Sequence, residues 1–315
     1  MEKIKVGISS CLLGEEVRYN GGHKHSRLCT DDLGEYFEYV SLCPEVSIGL
    51  GIPRKPIRLV GDPENPRAVG VDDADFDVTD KLQSYAREQL PSLENLSGYI
   101  FMKGSPSCGV FRVKVYLENG NPNQSAGMGI FAAAIKKAYP LLPVEEAGRI
   151  QDAVLRENFI VRVYAYDQWK NLVKEGLSAS KIVYFHSRYK YTLMAHNPQA
   201  YTELGQLVAR AGSYKPEELG ELYIAGLMKA LMKKANRKSH TNVLMHLQGY
   251  LKKHLQPQEK QKLSEVIEQY RQGILPLIVP VTLLKHHFNN HPDEYIARQT
   301  YLDPYPEDLS LRNLI

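Results

Sequence analysis

Three short apolar runs each end at a cysteine, and that recurrence constrains the fold more than any other feature of the chain. Ile4 to Ser9 (IKVGIS) leads to Cys11 in SSCLLG, Phe37 to Leu42 (FEYVSL) leads to Cys43 in LCPE, and Gly98 to Lys103 (GYIFMK) leads into the SPSCG turn that carries Cys108. Runs of this length, bounded by Gly, Ser or Pro, predict β-strands. Between and after them, VTDKLQSYAREQL repeats apolar residues at helical spacing from Asp77 or Thr79 and is expected to stop at Pro91. FRVKVYLENG alternates Val113, Val115 and Leu117 as a further strand that ends in a turn at Asn119 and Gly120, and Gly129 to Ala138 predicts a short helix. Leu141 to Val144 reads as a last strand, while the Gly and Pro density of PEVSIGLGIPRKPIRLV argues against regular helix there. Strands interleaved with helices imply an α/β domain, mostly parallel, three-layered and Rossmann-like. Open sheets of that kind bind ligands beyond the carboxyl ends of their strands, so three thiols placed there converge on one point. Three thiolates about one point suit a metal or a metal cluster.

From about Glu145 the texture changes. EEAGRIQDAVLRENFIVRVYAYDQWKNLV carries one or two helices, and the segments that follow it keep three- and four-residue apolar spacing with Pro, Gly or Ser at their joints. The expected organisation is therefore the α/β domain over residues 1–160 and an all-α helical domain over 161–315. The charge supports the division: residues 1–160 hold 18 Lys+Arg against 22 Asp+Glu, net −4, and residues 161–315 hold 21 against 14, net +7. A domain so biased faces a polyanion. No apolar stretch approaches the length of a membrane span, and the start, MEKIKVGISSCLLG, is too short and too soon interrupted for a secretory apolar region, so the expectation is a cytoplasmic protein without membrane association. Four cysteines in 315 residues are too few for a disulfide scaffold, and in a reducing compartment they point to metal binding or catalysis.

Each candidate has an ordinary reading beside the chemical one. A buried free cysteine is most often a small core residue, but three at the same topological position favour a shared site. Three thiolates on an iron–sulfur cluster leave one iron open to an outside ligand. A mononuclear zinc completed by Cys29 or His25 is the other metal reading, weakened by the lack of a tight Cys-x-x-Cys pair. Cys29 follows no strand and reads first as a core thiol. His23 and His25, in GGHKHS, fit a solvated or substrate-facing loop. Glu45, two residues past Cys43, points its carboxylate toward the cysteines as an acid or base, or else pairs with Arg54 or Arg58. Ser105 and Ser107 flank Pro106, where a hydroxyl can bind substrate or cap its own turn. In the helical part, Lys233, Lys234, Arg237 and Lys238 form one basic run and Lys252 and Lys253 a second, with Arg188, Tyr189, Lys190 and Tyr191 as a basic aromatic group. Such clusters bind phosphates and stack bases, or are solvated helix faces with the tyrosines half-buried in the core.

The strings GISSCLLGEEVRYNGG, LCPEVSIGLGIPRKPIRL and KGSPSCG together resemble the thiouracil desulfurase family, in order and across nearly all of the first domain. Tyr189 to Ile315, with TNVLMHLQGYLKK, PLIVPVTLLKHH and YLDPYPEDLSLRN, resembles the helical domain joined to that family in the tRNA 4-thiouridine desulfidases. The resemblance implies a 4Fe-4S cluster on Cys11, Cys43 and Cys108, Glu45 and Ser105 as catalytic residues, and sulfur-modified tRNA as the partner of the helical domain. Its short form acts on free thiobases. A non-catalytic iron–sulfur RNA-binding protein, a hydratase using the same open iron, and a homodimeric assembly are the readings left open by the residues alone.

Overall fold

In the computed structural model, which describes residues 3–315, the three cysteine-bearing strands are neighbours in one sheet. The first of two compact units runs to Gln151 and the second from Asp152 to Ile315. The first contains β1 (Ile4–Ser9), β2 (Phe37–Leu42), α1 (Pro44–Ser47), β3 (Ile57–Val60), β4 (Arg67–Gly70), α2 (Thr79–Leu93), β5 (Gly98–Phe101), β6 (Val115–Tyr116), α3 (Ile130–Ala138) and β7 (Val144–Glu146). The main sheet is four-stranded in the order β2-β1-β5-β7, and every pairing in it is parallel. β1 is central and buried at every position but Lys5, as expected of a parallel strand covered on both faces. Gly7 is required there: a Cβ would lie 2.2 Å from the ring of Tyr99, which stacks on Phe101 at 3.9 Å between centroids. A smaller mixed sheet, β4-β3-β6, packs Leu59, Ala68 and Val115 with Leu82 of α2 and Ile130 of α3.

Several local expectations are corrected. The segment after Cys43 holds one turn of helix, α1, and the strand β3, because Pro44 pre-sets the first helical position and Ile57, Leu59 and Val60 are buried. α2 continues past Pro91 to the buried Leu93; a proline in the last turn removes only one internal bond. FRVKVYLENG pairs as a strand only at Val115 and Tyr116, followed by the turn in which Gly120 takes a φ of 83° and donates to Leu117 O. The last strand begins at Val144, where a strand ending there was expected.

The second unit is helical: α4 (Ala153–Lys174), α5 (Ala179–His196), α6 (Pro198–Ala209), α7 (Pro216–Leu231), α8 (Arg237–Tyr250), α9 (Pro257–Arg271), α10 (Ile278–Asn290) and the short α11 (Glu294–Ala297). The unit starts ahead of residue 161 because Asp152 caps Leu155 N and opens one unbroken 22-residue helix. Ser178, Asn197 and Asn236 cap α5, α6 and α8 in the same way, and Pro198, Pro216 and Pro257 occupy first-turn positions of α6, α7 and α9. The core joins Leu244 and Leu247 of α8 to Leu263 and Ile267 of α9 and Leu284 of α10.

Candidate active site

Parallel pairing in the main sheet aligns the strand ends: Ser9 lies opposite Leu42 and Ile8 opposite Ile100, so the chain leaves β1, β2 and β5 on the same edge. There Cys11, Cys43, Cys108, Glu45, Ser105 and Arg54 line one cavity of about 280 Å3, with Arg18, Tyr19 and Lys103 also on its walls. Each thiol is fixed by its own turn. Cys11 sits in the short turn after β1 that Gly14 closes at a φ of 94°, and its carbonyl accepts from Lys24 N at 2.9 Å. Cys43 caps α1 and its carbonyl accepts from Ser47 N at 3.0 Å. The Ser105 to Gly109 turn is gripped by the start of α3: Ile130 N donates to Pro106 O and Phe131 N to Ser107 O, both at 3.0 Å. Gly129 permits that approach, since a Cβ would fall 2.6 Å from the Ser107 carbonyl.

Glu45 meets donors on both oxygens. Arg54 forks onto Oε2 through Nε at 3.0 Å and Nη2 at 2.8 Å, while Ser107 Oγ donates to Oε1 at 2.5 Å and Ser105 Oγ at 3.3 Å. The ion-pair reading and the cavity-facing reading of Glu45 thus hold together. Ser105 Oγ also accepts from Cys108 N at 3.1 Å, so it caps its turn and faces the carboxylate at once. Sequence reasoning gave Arg54 and Ser107 lesser parts than the geometry does. Arg54 further donates through Nη1 to Val17 O at 2.9 Å, tying the Glu45 carboxylate to the loop that follows Cys11. Arg58 makes no such pair; its guanidinium lies over the Tyr116 ring at 5.4 Å.

The thiols resist ionisation as they stand. Burial pushes Cys11 up to about 11, with the nearby Cys43 adding repulsion. Cys43 is raised by burial and by Glu45, and Cys108 by burial, Glu45 and Cys43. A cavity whose thiols and carboxylate repel one another's charge suits a strongly positive group that would reverse the balance. Of the four cysteines only Cys29 is elsewhere, fully buried, with Tyr39 donating to its carbonyl at 2.8 Å. His25 is exposed and its Nε2 meets Thr30 Oγ1 at 3.0 Å. Neither lines the cavity, and among the described residues no three His, Cys, Asp or Glu side chains gather to hold a single ion. The single-ion site completed by Cys29 or His25 is therefore not assembled. Three soft donors on the walls of one cavity are of the type that would hold an iron–sulfur group, with Cys11, Cys43 and Cys108 as its ligands.

A model of the 2-thiouracil desulfurase family matches residues 6–147, and one described as a protein of unknown function (DUF1722) matches residues 190–306. The uncharacterized protein YbgA of Escherichia coli K12 is 32% identical over 158 residues, half of this chain and 94% of YbgA. The uncharacterized protein YbbK of Bacillus subtilis 168 is 34% identical over 139 residues, 42% of this chain and 89% of YbbK. The chain belongs with these relatives and joins a 2-thiouracil desulfurase domain to a DUF1722 domain. Among solved structures, that of the 4Fe-4S-dependent thiouracil desulfidase TudS is 28% identical, with a TM-score of 0.39, over 48% of this chain and 95% of that one.

The cavity belongs wholly to the desulfurase domain. In the helical unit that carries the DUF1722 match, Lys233, Lys234 and Lys238 are exposed around the connection from α7 to α8, and Lys252 and Lys253 are exposed just beyond the far end of α8. At 1.5 Å per residue these two groups stand about 21 Å apart along that helix, so they form two positive ends. Arg237 belongs to the fold: its Nη1 donates to Tyr270 O at 2.6 Å and its guanidinium lies over the Tyr270 ring at 4.7 Å. Tyr189 and Tyr191 are buried, 3% and 1% exposed, which removes them as stacking platforms and leaves Lys190 over the Tyr191 and Tyr295 rings. Among the described residues, no helix is long and apolar enough to cross a membrane.

Proposed function

We propose that the protein is a cytoplasmic 4Fe-4S-dependent desulfidase that replaces the thiocarbonyl sulfur of 4-thiouridine in tRNA by oxygen, consuming water and releasing hydrogen sulfide. The observation that carries this reading is the shared cavity: three thiols, a carboxylate and a serine hydroxyl meet at the strand ends of a 2-thiouracil desulfurase domain. Cys11, Cys43 and Cys108 would hold the cluster, which when bound supplies a Lewis-acid iron with affinity for soft sulfur.

The chain's own groups provide the rest. Glu45, aimed by the Arg54 fork, takes a proton from the water that adds to C4 of the pyrimidine. Ser105 and Ser107 hold Oε1 in place, and Ser105 exchanges its bond to Glu45 for one to the ring as substrate enters. Carbon–oxygen bond formation and carbon–sulfur cleavage balance without net redox change. The positive helical unit supports a polyanionic substrate over a free base.

The test is anaerobic reconstitution with iron and sulfide, followed by sulfide release from 4-thiouridine-containing tRNA and from free 4-thiouracil. Release from tRNA with loss of the 4-thiouridine absorbance is expected. Release from the free base alone would refute the tRNA assignment, and release from neither would refute the desulfidase reading.

A further inference from the structure

Beside the cavity lies a larger trough of about 890 Å3, and the two share Lys103 and Gly104 on their walls. Of the six Lys and Arg residues between positions 101 and 150, five line this trough: Lys103, Arg112, Lys136, Lys137 and Arg149. They gather in a unit where Asp and Glu outnumber Lys and Arg 20 to 17, so the concentration is local. Of the two acidic residues on its walls, Glu146 is buried and accepts from Val110 N at 2.9 Å and Phe111 N at 3.0 Å, which turns its charge into the protein. Glu64 is exposed.

The cations are not there to balance the fold. Among the described residues, Lys103, Arg112, Lys136 and Lys137 make no ion pair. Arg149 is different: Glu145 accepts from its Nε at 2.6 Å, and its guanidinium carbon lies 4.5 Å from the centre of the Phe111 ring. A guanidinium over a partly exposed ring is a surface on which a nucleobase stacks. Arg112 sits at a φ of 53°, in the left-handed region that a Cβ disfavours, although no bond of its side chain to the protein explains its presence there.

We propose that this trough is a ribonucleotide-strand site, in which Lys103, Arg112, Lys136 and Lys137 bind the phosphates flanking the thiolated nucleotide while Arg149 and Phe111 stack a neighbouring base. The proposal deepens the desulfidase reading and rests on it for the identity of the strand. It gives the desulfurase domain its own means of holding a polynucleotide at the mouth of the cavity. It also explains why unpaired cations and a strained arginine collect beside Lys103.

The test uses the full chain and reads binding apart from chemistry. Fluorescence anisotropy follows a short labelled single-stranded RNA across a salt series for the native protein, for Arg112→Glu/Lys136→Glu/Lys137→Glu, and for Arg112→Gly. Each phosphate that the protein no longer neutralises lowers the log–log salt slope by roughly 0.7, so the triple variant is expected to lose about 2 from the slope and on the order of tenfold in affinity. Arg112→Gly relieves the left-handed strain, so it should match or exceed the native thermal midpoint while still binding RNA more weakly. With reconstituted protein, the triple variant should lower the efficiency on a thiolated oligonucleotide relative to a free thionucleoside, which has no phosphates to lose. Unchanged RNA affinity and slope in the triple variant would overturn the trough assignment. Weakened RNA binding with no sulfide released from any substrate by the native protein would retain the trough and refute the desulfidase reading instead.

Discussion

Removing the guanidinium of Arg54 should damage the site more than removing any other single group that is not a thiol. The Arg54 and Glu45 side chains are only 5% and 13% exposed, and the pair is held by two short bonds from one fork. A buried pair deprived of one partner leaves an uncompensated charge, at a cost of about 3 to 5 kcal/mol. In Arg54→Met the hydrocarbon stem is retained and the fork is lost, together with the Nη1 bond to Val17 O. Glu45→Gln keeps the shape but cannot accept from Arg54 and both serines as a carboxylate does, so about 1 to 3 kcal/mol should go with it. Because the two losses describe the same interaction, the double variant should be less destabilised than their sum by about 2 kcal/mol. Trp169 is the sole tryptophan and lies in α4, so its fluorescence reports the other unit. Hydrogen exchange of the β1 and β2 amides across a urea series measures the unit that matters. A coupling below about 0.5 kcal/mol would mean that the fork behaves as a solvent-exposed pair, and the orientation assigned to Glu45 would fail with it.

Ala in place of Cys11, Cys43 or Cys108 should abolish iron loading by anaerobic absorption and iron assay, whereas Cys29→Ala should load normally and lose about 1 to 2 kcal/mol because its thiol is fully buried. Glu45→Gln should retain the iron absorbance and lose turnover in kcat, with KM nearly unchanged; loss of the absorbance would make Glu45 a structural support of the cluster instead. Reversing Lys233, Lys238, Lys252 and Lys253 should lower the tRNA salt slope by roughly 0.7 to 0.9 for each phosphate released, and an unchanged slope would assign these lysines to solvent alone. In the second unit, burial and then Lys190 lower His186 from 6.5 to about 4, and burial lowers His196 and His240 in the same direction. The unfolded chain therefore takes up protons first, so stability is complete above pH 6.5 and falls as the pH drops toward 4, by on the order of 3 kcal/mol for His186 alone. A urea midpoint from Trp169 fluorescence that stayed flat between pH 7.5 and 5 would contradict this.

The parallel sheet was legible because its signal is carried by continuous apolar runs, and burial on both faces gives β1 and β5 no polar alternation to confuse. The helices of the second unit were legible through apolar spacing and the Pro, Gly or Ser at their joints, as at Pro198, whereas the caps Asn197 and Asn236 emerge only from the structure. The misreadings share a cause: they fall where tertiary packing overrules local preference. Pro91 should end α2, yet buried Leu93 keeps the last turn helical. FRVKVYLENG alternates over a longer span than the strand it forms, because only Val115 and Tyr116 pair with β3 while Val113 meets Gly127 in an isolated bridge. Tyr189 and Tyr191 are not among these: of the two readings the sequence allowed, burial selects the core one.

At the site, sequence position alone placed the three thiols, since a residue following a parallel strand must emerge at the sheet's carboxyl edge. It could not rank the groups that act on Glu45. Arg54 stands nine residues from Glu45 across a Gly and Pro loop, and nothing in that spacing favours it over Arg58, which turns to Tyr116. Ser107 adjoins Cys108 and Ser105 lies three residues before it, and neither spacing says which hydroxyl reaches the carboxylate. The gripping of their turn by α3 decides that Ser107 approaches Oε1 at 2.5 Å and Ser105 at 3.3 Å. Sulfur donors at strand ends are set by topology, but the acid–base geometry is set by how loops pack on one another. A variant series that separates Ser107→Ala from Ser105→Ala therefore probes what the sequence left open. The closer hydroxyl should matter more for holding the carboxylate, and Ser105 more for the Cys108 turn it caps.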